Sequence, residues 1–523
     1  MHEFTNGALV RLIAHLKSDG GKWPLEVEKP ILTAINTWVA FRESDRTTLI
    51  RAAGWDQAKG ASYRVDPLAE RICDTWAAYL FGDEPRFSSP VASESEDGEK
   101  HRPDQENLDR LLSIDPTGSA LDTASELERA AGIASSEGEV WGRIFVDRDL
   151  ADRPMLEWLS RLSIVPLWIG TRLIAVAVVT ELKDPDTTKG KTVWRHFELH
   201  APGIMGNVLF EGTEDKLGER RELDQHFATA GLEEEWNHGL PDMLVGRVPN
   251  KLRGRVQIGV SDFAGIRDYL LDLNETASVG SVNMRLTGRK RAVITASAAE
   301  NNDRAAGDGA PTPEDPGSTR RRRVIFDPAE DVFVEDPLDT ELGKSSGDPF
   351  RVIEYNFDAD GVIAWKQEIV DSAITRAGLV AQYVGTNDKS GYAISGTAIR
   401  LRLIPTDKTG RSKGRHWDSR NPRILRNMQL LDALPVADGG FGNTWTNPEI
   451  APTVERHPGI PVDELEDAQR HGILISNGLE SRQTAVEEMH RGWDEARVKA
   501  EVERIEAEQA RATPGGAGSL FGV

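Results

Sequence analysis

The sequence predicts an α+β fold, with helices and strands in separate runs. A strand-rich block at 139–211 lies between helical stretches. Its segments EVWGRIFVD, SIVPLWIG, LIAVAVVTEL, TVWRHFELH and NVLFEG are parted by Gly, Pro and Asp turns. Val260 to Leu286 reads as one long amphipathic helix, about 40 Å long at 1.5 Å per residue. A second helical pattern follows at 362–380, beyond a stretch of short strands. At 523 residues the chain exceeds one ordinary core, so two or more domains are expected.

Residues 1–60 give two weak helical patterns, the first marked by Leu9, Leu12, Ile13 and Leu16. Val65, Leu68, Ile72, Trp76, Tyr79 and Leu80 share a face, and Gly82 with Pro85 ends that helix. Residues 88–105 form a polar loop. A helical pair follows, marked by Leu108, Leu111 and Leu112, then by Leu121, Leu127, Ala130 and Ala131. The strand block after it makes one compact antiparallel sheet. In the long helix, Ser261 or Asp262 caps the start, and Phe263, Ile266, Leu270, Leu273 and Ala277 line one face.

Lys290–Thr295, Arg323–Phe326 and Val352–Phe357 read as short strands, and the Gly-, Pro-, Asp- and Ala-rich stretch 297–322 as a mobile loop. Val362, Trp365, Ile369 and Val370 mark the next helix, and VGTNDKSGY (384–392) breaks it. Helix resumes from Ser395, where Pro405, Gly410 and Gly414 interrupt it, and again around 422–433. A last helix runs along 480–511, where Met489, Trp493, Val498, Val502 and Ile505 pack or associate as a bundle. The tail ATPGGAGSLFGV reads as flexible.

The net charge of −22 is the opposite of the basic footprint of an ordinary nucleic-acid binder. An acidic wall suits a conduit that must not grip a phosphate cargo, and it equally suits plain solubility. The most apolar stretches, 163–170 and 173–180, are strand-length, so no membrane span is expected. The N-terminus has neither the apolar core nor the cleavage site of a signal peptide. Cys73 is the one cysteine, expected as a small buried residue in a chain that fits a reducing cytoplasm.

No motif carries chemistry securely. Gly190, Lys191, Thr192 and Gly343, Lys344, Ser345 mimic the end of a phosphate-binding loop, but Pro185 and Leu338 stand where its first glycine belongs. Gly343 to Gly347 matches a nucleophile elbow in letters and lacks the strand before the serine. Asn356, Asp358, Asp360 and Gly361 mimic a calcium loop, yet Gln367 holds the twelfth place. A strand-to-helix turn with Asp360 near the helix start fits better. His196 and His200 sit in a strand pattern, on a solvated face rather than at zinc, and no histidine shows metal-ligand spacing. The run Arg320, Arg321, Arg322, Arg323 is either a solvated loop edge or a contact for an acidic partner or DNA phosphate.

The order of these elements resembles the portal (connector) proteins of tailed bacteriophages, from about residue 60 to 510. DPLAERICDTWAAYLFGDEP (66–85) is similar to their early wing helix, and EGEVWGRIFVD with the strands after it to the wing sheet. VSDFAGIRDYLLDLNETASVGSVNMRL resembles the first stem helix, and GVIAWKQEIVDSAITRAGL (361–379) the second. AISGTAIRLRL (393–403) resembles the segment just behind the tunnel loop. HGILISNGLESRQTAVEEMHRGW, with the Glu-rich helix after it, resembles the region that forms the crown.

The resemblance implies a portal-type wing of helices and a small antiparallel sheet, paired long stem helices, a β-containing clip and a helical crown. Its segments are 1–260 (N-terminal region and wing), 261–287 (first stem helix), 288–360 (clip), 361–382 (second stem helix), 383–394 (tunnel loop), 395–460 (wing), 461–511 (crown) and 512–523 (tail). It implies a ring of about 12 chains at one capsid vertex. Double-stranded DNA passes through such a ring during packaging and ejection. The implied partners are the chain itself, the major capsid protein, the terminase large subunit and the head-tail adaptor. Thr386, Asn387, Asp388 and Lys389 would face the DNA channel, Lys389 either touching phosphate or merely solvating a turn. Arg320 to Arg323 would serve docking at the clip. No enzyme activity, cofactor, metal or membrane contact is implied. The site would be the virion, after synthesis in the host cytoplasm. The rival readings are a capsid or head-tail adaptor component and a hydrolase working through acidic pairs. Acidic pairs are too common in so acidic a chain to support the hydrolase.

Overall fold

The computed structural model describes residues 4–55, 62–83, 85–89, 102–112, 123–183, 192–253, 258–287, 291–295, 332–335, 350–353, 358–381, 384, 396–456, 464–490 and 495–512. The fold is α+β. Two compact units divide it, residues 1–392 with 402–459 and residues 393–401 with 460–523.

Three helices stand where the sequence suggested two, α1 (Gly7–Leu16), α2 (Lys29–Arg42) and α3 (Arg46–Ala53). The side chains of Asn6 and Asp45 cap α1 and α3 by accepting from Ala8 N and Thr47 N. α4 (Leu68–Phe81) buries Leu68, Ile72, Trp76, Tyr79 and Leu80 as their spacing requires, together with Cys73, and ends at Gly82. β1 (Arg86–Ser88), α5 (Arg102–Leu112) and α6 (Thr123–Glu137) follow, and α6 packs along α4.

The strand block splits into two sheets instead of one. β2 (Glu139–Phe145) pairs with β3 (Met155–Ser160) and with a late strand, β10 (Val245–Pro249). β4 (Ile164–Ile169), β5 (Arg172–Leu182), β6 (Val193–Ala201), β7 (Ile204–Thr213) and β8 (Lys216–Arg221) form an antiparallel meander, with β9 (Glu235–Asn237) added on β7. Alternation fixed which face of each strand is apolar but not which sheet it joins. Trp141 of β2 and Val176 and Val178 of β5 lie in one cluster because the two sheets pack face to face. The far face of the meander, with Phe197, Leu199 and Phe210, is covered by Leu9, Leu12 and Leu16 of α1.

The space between the sheets is partly polar. His196 and His200 point into it, not to a solvated face. His200 is buried with its Nε2 2.7 Å from Glu198 Oε1, and Arg143 Nε of β2 lies 3.8 Å from the same oxygen. Burial alone would raise the Glu198 carboxyl, but His200 and then Arg143 hold it down at about 2. Burial and the nearby His200 lower His238 to about 4. The folded chain therefore resists protonating His238, whereas the unfolded chain takes up that proton below about pH 6.5. Stability should fall by about 2–3 kcal/mol as pH drops from 6.5 to 4, since the unfolded state binds more protons across that window. His238→Gln should flatten melting temperature against pH there. An unchanged slope would show that the histidine does not carry the effect.

Candidate functional site

The predicted long helix from Val260 is broken near its start. Ser261 caps a short 3-10 turn, Asp262–Gly265, by accepting from Phe263 N at 3.0 Å, and Ile266 leaves helical geometry. α7 runs only from Arg267 to Thr287. Phe263, Ile266, Leu270 and Leu273 are buried as predicted, whereas Ala277 is half-buried and Asn274 and Ser278 take the buried places near it. Both are used as acceptors. Asn274 Oδ1 takes Asp66 N and Ser278 Oγ takes Arg64 N, each at 2.8 Å, stitching α7 to the lead-in of α4.

Beyond α7, β11 (Arg291–Thr295), β12 (Val332–Glu335) and β13 (Phe350–Ile353) form a separate sheet of order β12-β11-β13. β12 lies parallel to β11 and β13 antiparallel to it. β13 holds Val352 and Ile353 of the strand predicted at Val352–Phe357, whose residues 354–357 fall outside the described residues, as does the strand predicted at Arg323–Phe326. The chain returns along α8 (Ala359–Ala377), which ends five residues before the predicted 382 because Gly378 takes a left-handed cap at φ 86°. Asp358, not Asp360, caps α8, accepting from Gly361 N at 2.9 Å, so the calcium-like letters are a helix cap.

α7 and α8 run antiparallel. Arg376 lies 5.1 Å over the Tyr269 ring at one end, and Gly280 faces Val362 at the other. Burial is graded along the pair. Leu270, Leu273, Ile369, Val370, Ala373 and Ile374 are buried at the root. Nearer the sheet, Val279, Met284, Ile363 and Trp365 are 42%, 66%, 65% and 57% exposed, so the outer half leaves the body with apolar side chains uncovered.

The root is held by buried charge. Asp262, the other of the two residues suggested as the cap, meets Lys251 Nζ at 2.6 Å, Lys413 Nζ at 2.5 Å and Ser135 Oγ at 2.6 Å. Burial would raise its carboxyl, but the two ammonium groups outweigh that and hold it below the usual range. Lys413 is wholly buried, with its Nζ 3.9 Å from the Trp76 ring centre, and burial lowers it to about 7 against the pull of Asp262. Next to this junction, Glu139 binds Arg247 at 2.5 Å, Arg161 at 3.1 Å and Gly259 N at 2.9 Å.

Lys413 belongs to α9 (Gly396–Ala433), a helix of 38 residues that runs through Pro405, Gly410, Gly414 and Pro422. The expected interruption does not occur because the glycines mark close approaches: a Cβ on Gly410 would lie 2.0 Å from the Tyr79 ring. α9 covers the other face of the three-stranded sheet. Ile424 fits against Gly142 and Gly246, and Trp417 meets Phe81 and Trp158 edge-on at 4.9 and 5.5 Å. The opposite side of α9 is basic. The helix holds nine Lys or Arg against three Asp, a local excess that the chain-wide charge of −22 conceals. Arg415 and Arg420 are exposed and His416 half-buried, and among the described residues none of the three side chains has an ion pair or hydrogen bond. Burial and then Arg420, Arg247 and Arg415 lower His416; burial and then Arg423 and Arg247 lower Arg420.

In the second unit, α10 (Glu464–Ser476) comes first, and α11 (Arg482–Met489) with α12 (Glu495–Ala512) stand where the sequence suggested a single helix over 480–511. His471, Glu480 and Glu488 converge with ligand atoms within 4.8 Å, a grouping the sequence spacing did not suggest. The Arg470 guanidinium lies 3.3 Å from both His471 Nε2 and Glu488 Oε2, filling with a cation the place a metal would need. The sequence-predicted channel residues Thr386, Asn387, Asp388 and Lys389 and the docking residues Arg320, Arg321, Arg322 and Arg323 lie outside the described residues, as do Lys191 and the Gly343 to Gly347 stretch. Among the described residues, no helix is long and apolar enough to cross a membrane.

No family model and no curated protein matches this chain. Among solved structures it is similar to a chain in the neck of a native GTA particle computed with C12 symmetry, at 10% identity and a TM-score of 0.39, covering 81% of this chain and 89% of that one. It is also similar to a chain in the neck of an empty GTA particle computed with C6 symmetry, at 9% identity and a TM-score of 0.41, covering 84% and 93%. Both overlaps are too loose to transfer a fold or a residue role.

Proposed function

We propose that the chain is a ring-forming channel subunit of the portal type, set at one vertex of a phage-like capsid, through which double-stranded DNA is packaged and ejected. The observation that carries this reading is the antiparallel pair α7 and α8. It brackets a separate small sheet, is rooted in buried ion pairs, and leaves Val279, Met284, Ile363 and Trp365 uncovered along its outer half. Such a pair, repeated around an axis, covers its apolar residues on the next copy, and a head-to-tail contact that closes makes a ring. On this reading the chain performs no catalytic step. The terminase motor and then the head-tail adaptor dock at the insert between β11 and β13, where Arg320 to Arg323 would contribute, and Lys389 meets the passing DNA.

Native mass spectrometry and negative-stain imaging of the full chain should show a closed ring of about 12 copies. Ile363→Lys with Trp365→Lys should leave the circular dichroism unchanged and abolish the ring. A parent chain that stays monomeric or dimeric at every salt concentration, and is absent from the vertex of imaged particles, would end this reading. Arg320 to Arg323 or Lys389 on the outer wall of imaged rings, away from motor and channel, would remove their assigned roles.

A further inference from the structure

The basic face of α9 is separate from the helical hairpin and has no part in the reading above. On a helix turning about 100° and rising about 1.5 Å per residue, Arg415, His416, Arg420, Arg423 and Arg426 fall within an arc of about 140° and a length of about 17 Å. Arg247 of β10 faces the same place, its guanidinium 5.4 Å over the Trp168 ring. Among the described residues, three nearby carboxylates are already engaged. Asp242 takes Arg423 and Arg426, Glu139 takes Arg247, and Asp418 takes Arg456. Arg415, His416 and Arg420 are left with no side-chain partner among the described residues. Burial and the neighbouring Arg423 and Arg247 disfavour the charge on Arg420, and an anion bound beside it would offset that repulsion.

We propose that the outward face of α9 from Arg415 to Arg426 is a docking surface for the phosphate backbone of double-stranded DNA. Three observations select this occupant. Guanidinium groups match phosphate oxygens with two parallel hydrogen bonds, and four of the five residues are arginine. The face spans about 17 Å, the length of about five successive phosphates on one strand. It also lacks the apolar centre of a protein interface, because no large apolar side chain between 405 and 435 is exposed. Contacts to phosphate alone carry no base specificity, so binding is sequence-independent and salt-sensitive.

The test is fluorescence anisotropy with the full-length chain and a labelled duplex of about 30 base pairs, from about 50 to 200 mM salt. Arg415→Glu with Arg420→Glu should weaken binding at least about tenfold and reduce the log–log salt slope by about 2, one for each contact. Arg11→Glu with Lys17→Glu, the same charge change on α1 and at its C-terminal cap, should weaken it much less. Circular dichroism and the unfolding midpoint check that the variant is folded, and Arg415→Gln with Arg420→Gln gives the same reading with a smaller change. A parent chain that does not bind the duplex at about 50 mM salt overturns the proposal, as does an α9 variant that binds like the parent. Loss of self-association in the α9 variant with DNA binding intact also overturns it, and assigns the face to an acidic surface of a second copy. Ring formation is read separately by native mass, so this test and that of the channel reading fail independently.

Discussion

Asp262→Asn should lower stability by about 3–5 kcal/mol, the cost of removing one side of a buried ion pair. The effect is large because the change strands two ammonium groups, Lys413 and Lys251, that share one carboxylate. Lys413→Met should cost far less, since Asp262 keeps Lys251 at 2.6 Å and Ser135 at 2.6 Å while a buried cation disappears. The two variants also differ with pH. Folded Lys413 sits at about 7 and its unfolded form near 10.5, so between those values the unfolded chain holds the extra proton. The parent chain should therefore gain stability from this group as pH rises from 7 toward 10.5, and Lys413→Met should lose that gain. Urea unfolding midpoints at several pH values report both effects. Asp262→Asn unfolding at the parent midpoint would show that the junction does not secure the hairpin.

Gly259→Ala should be nearly as damaging, at about 3 kcal/mol. The lead-in to the hairpin crosses the end of α6 so closely that a Cβ on Gly259 would lie 2.0 Å from the Gly138 carbonyl oxygen. The obstacle is main chain and cannot rotate away. Asn250 N donates to the same oxygen at 2.8 Å, and Glu139 accepts from Gly259 N, so any shift breaks hydrogen bonds on both sides. Gly265→Ala, where the added methyl meets open space, is the matched control. Equal unfolding midpoints for the two would remove the close crossing as a cause.

How much of this was legible depended on range. α4 was plain in the sequence because Leu68, Ile72, Trp76 and Leu80 repeat at helical spacing and all face one core. The hairpin helices α7 and α8 were legible at their roots for the same reason, through Leu270, Leu273, Ile369 and Val370, but the break at Ile266 was not. α9 was not, because Pro405, Gly410, Gly414 and Pro422 read locally as breaks, while Tyr79 and Arg456, distant in sequence, make those glycines fit a packed helix. The division of strands into two sheets escaped because β2 and β10 are more than a hundred residues apart, and alternation names a face but no partner. The Asp262 and Lys413 contact joins residues 151 positions apart, and neither letter is unusual alone. The basic face of α9 was legible by counting residues along one segment, and the whole-chain charge averaged it away.

The packing of α9 on the three-stranded sheet sets an order of events during synthesis. Gly142 and Trp158 belong to the first half of the chain, and Ile424 and Trp417, which cover them, are made roughly 260 residues later. At about 5–20 residues per second that is about 13–50 s in which the paired strands β2 and β3 display an uncovered apolar face. The interval is long compared with collapse or hairpin formation. The nascent first half must therefore wait, partly finished, on the ribosome or in the care of a chaperone, and a chain released before residue 424 has no native way to close.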